Sequence, residues 1–173
     1  MNMRKITLLL LACALPCVGQ ENPGRQAARN KPDFSGTWSL DRSKSELGRL
    51  GQRMANVELT YVIIHKDPEL KVIRKTGAAA QGESAYYSDG RGETNPNLLG
   101  RGDVKSKTKW DGTKLVSRST ATIQGRRDDF YIDTTQKWEL SPDSKTLTVT
   151  ISITPGQPGL NFFKQVFNRV PSE

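Results

Sequence analysis

The stretch DVKSKTKWDGTKLVSRSTATI, Asp103 to Ile123, reads as two strands folded on one turn. Before the turn, Val104, Ser106, Thr108 and Trp110 alternate with Asp103, Lys105, Lys107 and Lys109, the period of two that sends neighbouring side chains to opposite faces of a sheet. Asp111-Gly112 is a pair able to take the positive dihedral angles of a tight hairpin turn. After it, Leu115, Ser117 and Ser119 alternate with Val116, Arg118 and Thr120. Nothing here follows the 3.6-residue period of a helix.

The same rhythm extends in both directions. Period-two segments are expected at 34–40, 57–66, 70–76, 84–88, 91–94, 103–110, 113–123, 128–140, 146–154 and 161–170. Turn residues separate them: Asp67-Pro68, Asp89-Gly90, and Ser141 through Ser144. Residues 77–82 read as a small-residue loop, and Asp89-Gly90 reads as a hairpin turn joining 84–88 to 91–94. At most one short helix is expected, within 41–53, capped by Asp41 or Ser43, carrying Leu47 and Leu50 and ended by Gly51. Short turns between sequence neighbours make an all-β, antiparallel up-and-down meander of about eight to ten strands. An open meander leaves two unpaired edges, and closure of its first strand on its last into a barrel removes them.

The N-terminus has another character. Arg4 and Lys5 precede an apolar run from Ile6 to Leu15, with Pro16 behind it, the layout of a secretory signal over 1–19 cleaved after Gly19. The run is too short for a spanning helix, which needs about 20 apolar residues, and no later stretch reaches that length. Residues 20–32 are polar and read as a disordered linker, leaving 33–171 as one barrel domain. The expected address is periplasmic or extracellular. A lipid anchor on Cys13, or less readily on Cys17, is the alternative.

The chain has 26 lysines and arginines against 18 aspartates and glutamates, a formal net charge of +8. No block of five or six like charges occurs, and basic residues are not interleaved with aromatic ones, so nucleic acid is not an expected partner. The lone histidine, His65, has no Gly-x-Ser-x-Gly motif or other nucleophile signature with it and reads as a histidine near a turn. No clustered His/Cys pattern suits zinc and no Asp-x-Asp-x-Asp-Gly loop suits calcium, so neither a metal nor another cofactor is expected. Asp133 and Glu139 fall on the outward side of their strand and read as solvated surface, with Asp128-Asp129 just before it.

Asp33-Phe34-Ser35-Gly36-Thr37-Trp38 is the most specific motif. With Arg169 near the end of the last strand, this Gly-x-Trp resembles the lipocalin-like (calycin) barrels, and much of 33–149 is similar to bacterial secreted members of unassigned function. The resemblance implies that Gly36, Trp38 and Arg169 close one end of the barrel, the guanidinium packing across the indole. It implies a fold and not a reaction, so a catalytic residue is not named, although some barrels of this kind are enzymes.

The inward series contain Ser106, Thr108, Ser117, Ser119, Thr134 and Gln136. Either these polar groups satisfy one another across the sheet, or they line a cavity for water or ligand. On the second reading the protein is a monomeric, non-enzymatic binder of a small, largely apolar ligand. Its contacts would then be Tyr61, Tyr86, Trp110 and Phe130, with Thr134 and Gln136. On the first it is a structural or interaction barrel whose basic exterior meets anionic envelope polymers.

Overall fold

In a computed structural model of the chain, residues 31–48, 57–96, 102–123, 130–155 and 161–171 are described. Ten antiparallel strands form a single sheet: β1 (Gly36–Leu40), β2 (Leu59–Lys66), β3 (Glu69–Thr76), β4 (Ala79–Tyr87), β5 (Glu93–Pro96), β6 (Asp103–Asp111), β7 (Lys114–Ile123), β8 (Phe130–Leu140), β9 (Thr146–Thr154) and β10 (Phe162–Val170). The sheet order is β4-β3-β2-β1-β10-β9-β8-β7-β6-β5. The first strand therefore pairs with the last, Trp38 opposite Arg169, as the meander requires for closure. The expected signal segment 1–19, with Cys13 and Cys17, lies outside the described residues, as does the linker as far as residue 30.

Two expectations need correction. The strands flanking Asp89-Gly90 do not pair as a hairpin: β4 and β5 are the two edges of the sheet, and the barrel is nearly closed there. A turn sequence fixes a reversal of direction, but whether the strands stay together depends on the rest of the wall. Residues 77–82 are not a loop either. Gly77, at φ +57°, makes a tight turn, and β4 begins at Ala79, pairing with β3 through a register shift at Arg74/Lys75. Backbone groups make that ladder, so small side chains do not prevent it. Of the short helix expected within 41–53, the described residues include a 3-10 turn, Arg42–Lys44, whose N-cap Asp41 accepts from the Ser43 backbone N–H, and helical backbone at Gly48. Leu50 lies outside the described residues.

The core fills one end of the barrel. Phe34, Trp38, Leu70, Leu115, Leu147 and Phe167 are fully buried, with Ile63 and Trp138 beside them. At 25 cal/mol per Å², each such side chain contributes about 1.5–3 kcal/mol. Burial then fades along several inward series toward the other end, while Leu59 on β2 and Phe163 on β10 stay buried there. On β9, Leu147 and Val149 are buried whereas Ile151 and Ile153 are half-buried; on β8, Trp138 is followed by half-buried Gln136 and Thr134; on β3, Leu70 and Val72 give way to Arg74. The fold is a cup with an apolar floor and a partly exposed mouth.

Candidate functional site

The floor is built by the N-terminal motif. Residues 31–35 cross the end of the barrel, and the Trp38 indole N–H donates to the Phe34 carbonyl at 3.0 Å. The Arg169 guanidinium lies 4.2 Å from the centroid of the Trp38 ring, while its Nη1 donates to the Ser35 carbonyl (2.7 Å) and its Nε to the Ser144 carbonyl (2.8 Å). Gly36 makes room: a Cβ there would stand 2.5 Å from Arg169 Nη1, at a φ of +134° that L-residues rarely take. Beside them Phe34 stacks on Trp110 at 5.9 Å, with His65 against both rings. Asp67, in the β2–β3 turn, accepts from Trp110 Nε1 (3.0 Å), Lys31 Nζ (3.0 Å) and the Ser88 hydroxyl. Burial alone would raise its pKa, but these hydrogen bonds outweigh it and hold it at about 2.

His65 belongs to this floor. Its Nδ1 accepts the Phe34 backbone N–H (3.3 Å), so the neutral ring carries its proton on Nε2, which is buried with no partner. Burial lowers its pKa, against the pull of Asp33 and Asp67. The neighbouring Ser35 hydroxyl bonds the His65 backbone, accepting from its N–H (3.0 Å) and donating to its carbonyl (3.3 Å). The ring serves as an acceptor in the plug.

Above the floor lies a small cavity of about 20 Å³, space for roughly one water. Tyr61, Val72, Arg74, Ser84, Tyr86, Gln136, Trp138, Val149 and Ile151 line it. Tyr86 Oη donates to Gln136 Oε1 (3.4 Å), and Tyr61 Oη to Gln165 Oε1 (3.3 Å). Burial pushes the Tyr61 hydroxyl up to about 12 and raises Tyr86 as well, so both stay protonated donors. Trp138 Nε1 is buried with no hydrogen-bond partner. Arg74 is half-buried and forms no salt bridge among the described residues.

Of the residues the sequence nominated, Tyr61, Tyr86 and Gln136 meet at this cavity. Thr134 stands two residues mouthward of Gln136 on the same face and does not line it. Trp110 is in the floor instead, held by Asp67 and Phe34. The Phe130 side chain lies outside the description. Sequence reading passed over Arg74 and Trp138, although both continue inward series, Leu70-Val72-Arg74 and Gln136-Trp138. It also passed over Glu93 and Asn95.

Those two residues explain part of the interior polarity. Glu93 and Asn95, both buried, sit on β5 at the edge facing β4. Glu93 Oε1 accepts from the Ser106 (2.7 Å) and Thr108 (2.6 Å) hydroxyls, and its Oε2 from the Tyr87 backbone N–H (3.3 Å). The Asn95 amide pairs with both backbone groups of Ala85, donating to its carbonyl and accepting from its N–H, each at 2.8 Å. Side chains thus replace a missing strand ladder along the seam, and Ser106 and Thr108 serve a carboxylate rather than a cavity.

No protein-family model matches the chain, and no curated protein matches it in sequence. Solved structures do. The chain is similar to the REP1-NXSQ fatty acid transporter at 17% identity, with a TM-score of 0.58 over 82% of this chain and 98% of that one. It is similar to Echinococcus granulosus fatty-acid-binding protein 1 at 11% identity, TM-score 0.55, covering 80% and 98%. A Schistosoma mansoni fatty acid binding protein in complex with arachidonic acid gives 13%, 0.56, 80% and 96%. At such identities the likeness is one of fold alone, that of a nearly closed antiparallel β-barrel.

Proposed function

We propose that the protein is a non-enzymatic carrier that holds a small, largely apolar ligand in the mouthward half of the barrel, with one polar end of the ligand against Arg74 and Trp138. The observation that carries this reading is the composition of the cavity wall. Half-buried Ile151 and the faces of Tyr61 and Tyr86 offer apolar surface, while Trp138 Nε1 is a buried donor without an acceptor. An unpaired buried donor costs about 1–3 kcal/mol, and a ligand oxygen would recover it. Arg74 supplies a positive charge at the same wall, suited to a carboxylate or another anionic end. The names of the similar structures, all fatty-acid carriers, support an acyl ligand. A ligand of several carbons must swing Tyr86 and Gln136 aside, because a cavity of about 20 Å³ does not hold it.

The test is titration with a fluorescent fatty acid, followed by its displacement with unlabelled acids and the matching alcohols. Saturable one-to-one binding is expected, and Arg74→Gln weakens the acid about tenfold while changing the alcohol little, in keeping with a charged hydrogen bond of about 1.5–3 kcal/mol. Absence of saturable binding by any apolar probe would contradict the proposal. The protein is further proposed to be exported, with 1–19 as its signal and Cys13 or, less readily, Cys17 as a site of lipid anchoring if it is not released. Mass spectrometry of the protein from its own source checks this: a chain beginning near Gln20, or an acylated cysteine, is expected, and an intact Met1 terminus would overturn it.

A further inference from the structure

The cations of the described surface are unevenly matched. Away from β6–β8 several lysines meet an acid: Lys44 with Asp41, Lys71 with Glu83 and Lys164 with Glu46. The outer face of β6–β8 carries one such pair, Lys114 with Glu139, and the acids Asp103, Asp111 and Asp133. Among the described residues, however, its cations outnumber its acids by six to four. Lys105, Lys107 and Lys109 project from β6, Arg118 from β7 and Lys137 from β8, all exposed and none in a salt bridge among the described residues. Lys107 stands directly opposite Arg118 in the ladder. Like charges in that position destabilise a sheet, so folding alone gives no reason to place them there.

From this face we infer a second binding surface, one that docks the barrel on an anionic phospholipid bilayer. The charges are spread over roughly 14 Å along the strands and 10 Å across them. This broad array turns concave only at its β5 border, where Lys105 and Lys107 line a hollow with Tyr87, Arg91 and Thr94. β6, β7 and β8 are each paired on both sides, so the face has no free strand edge on which an extended peptide could add. Val116, between Lys109 and Lys137 in register, is 1% exposed, leaving no apolar pocket for a peptide side chain. At the mouth end of the same face, Tyr131 is 61% exposed, an apolar ring with a polar tip of the kind that suits the headgroup layer. Choosing a bilayer over another polyanion rests on the carrier reading above, since a membrane is the reservoir of an apolar ligand.

Sedimentation with vesicles tests it, using phosphatidylglycerol mixed with phosphatidylcholine against phosphatidylcholine alone. Binding is expected to the anionic vesicles only, to fall as salt rises, and to weaken about tenfold or more in a Lys107→Glu/Arg118→Glu double variant. Lys66→Glu/Lys75→Glu, an equal change of net charge on β2 and β3, is expected to retain most of it. Equal losses in the two variants would reduce the effect to net charge and overturn the inference. So would a wild-type protein that ignores anionic vesicles, or binds a soluble polyanion such as dextran sulfate in their place. If charge reversal unfolds the barrel, Lys107→Gln/Arg118→Gln replaces it. Fatty-acid affinity measured without vesicles is expected to be unchanged in all the variants, which separates failure of docking from failure of the carrier reading.

Discussion

Arg169 concentrates several bonds in one side chain: a ring beneath its guanidinium and two backbone carbonyls at its nitrogens. Arg169→Ala should therefore cost about 2–4 kcal/mol, combining a cation–π contact with hydrogen bonds from a charged donor. Urea denaturation measures it, and a loss below 0.5 kcal/mol, the level of an ordinary surface change, would refute that role. Gly36→Ala is expected to cost about 1–3 kcal/mol for its backbone angle, before the guanidinium is displaced. These positions are readable from sequence because a short motif and a chain end bring them together. His65 is harder to read, since its partners come from elsewhere in the chain. Its lowered pKa means that the unfolded chain takes up a proton more readily than the folded one. The stability so contributed is present above pH 6.5 and is lost as pH falls through the folded value. An NMR titration of His65 should give a midpoint below 6.5, and one above it would contradict burial as the dominant cause.

At the scale of elements, alternation along β9 and the β6–β7 hairpin is legible because strand and turn signals are local. The seam between β4 and β5 is not. Whether two strands that share a turn remain paired is decided by the curvature of the whole wall and not by Asp89-Gly90. Glu93 reads only as a polar residue of the short segment 91–94, and Asn95 falls just beyond it, until the seam gives them backbone groups to hold. Pro96, which lacks an N–H, fits the end of an edge strand. Asn95→Ala should leave both backbone groups of Ala85 without their partner. Amide exchange at Ala85 is expected to accelerate about tenfold or more and stability to fall by about 1–3 kcal/mol. Unchanged exchange would show that the seam is held by something else.

For the molecule as a whole, the distribution of burial separates two jobs that the sequence presents as one continuous barrel. The floor is packed and aromatic, so its residues act on stability. Mouthward, Ile151 and Ile153 are only half-buried, and the cavity wall there holds Arg74 and Trp138, so on the carrier proposal these residues act on binding. Trp110 shows how the two become confused: its parity is right for a lumen residue, but its height on the strand puts it in the plug. The three tryptophans also provide a direct test of the central claim. The Trp38 indole donates to Phe34 and that of Trp110 to Asp67, whereas Trp138 Nε1 has no partner. In an NMR titration with a fatty acid, the Trp138 indole N–H resonance should move strongly while those of Trp38 and Trp110 stay nearly fixed. Saturable binding that left the Trp138 signal unmoved, or that perturbed only outward-facing residues, would contradict a ligand held in the barrel.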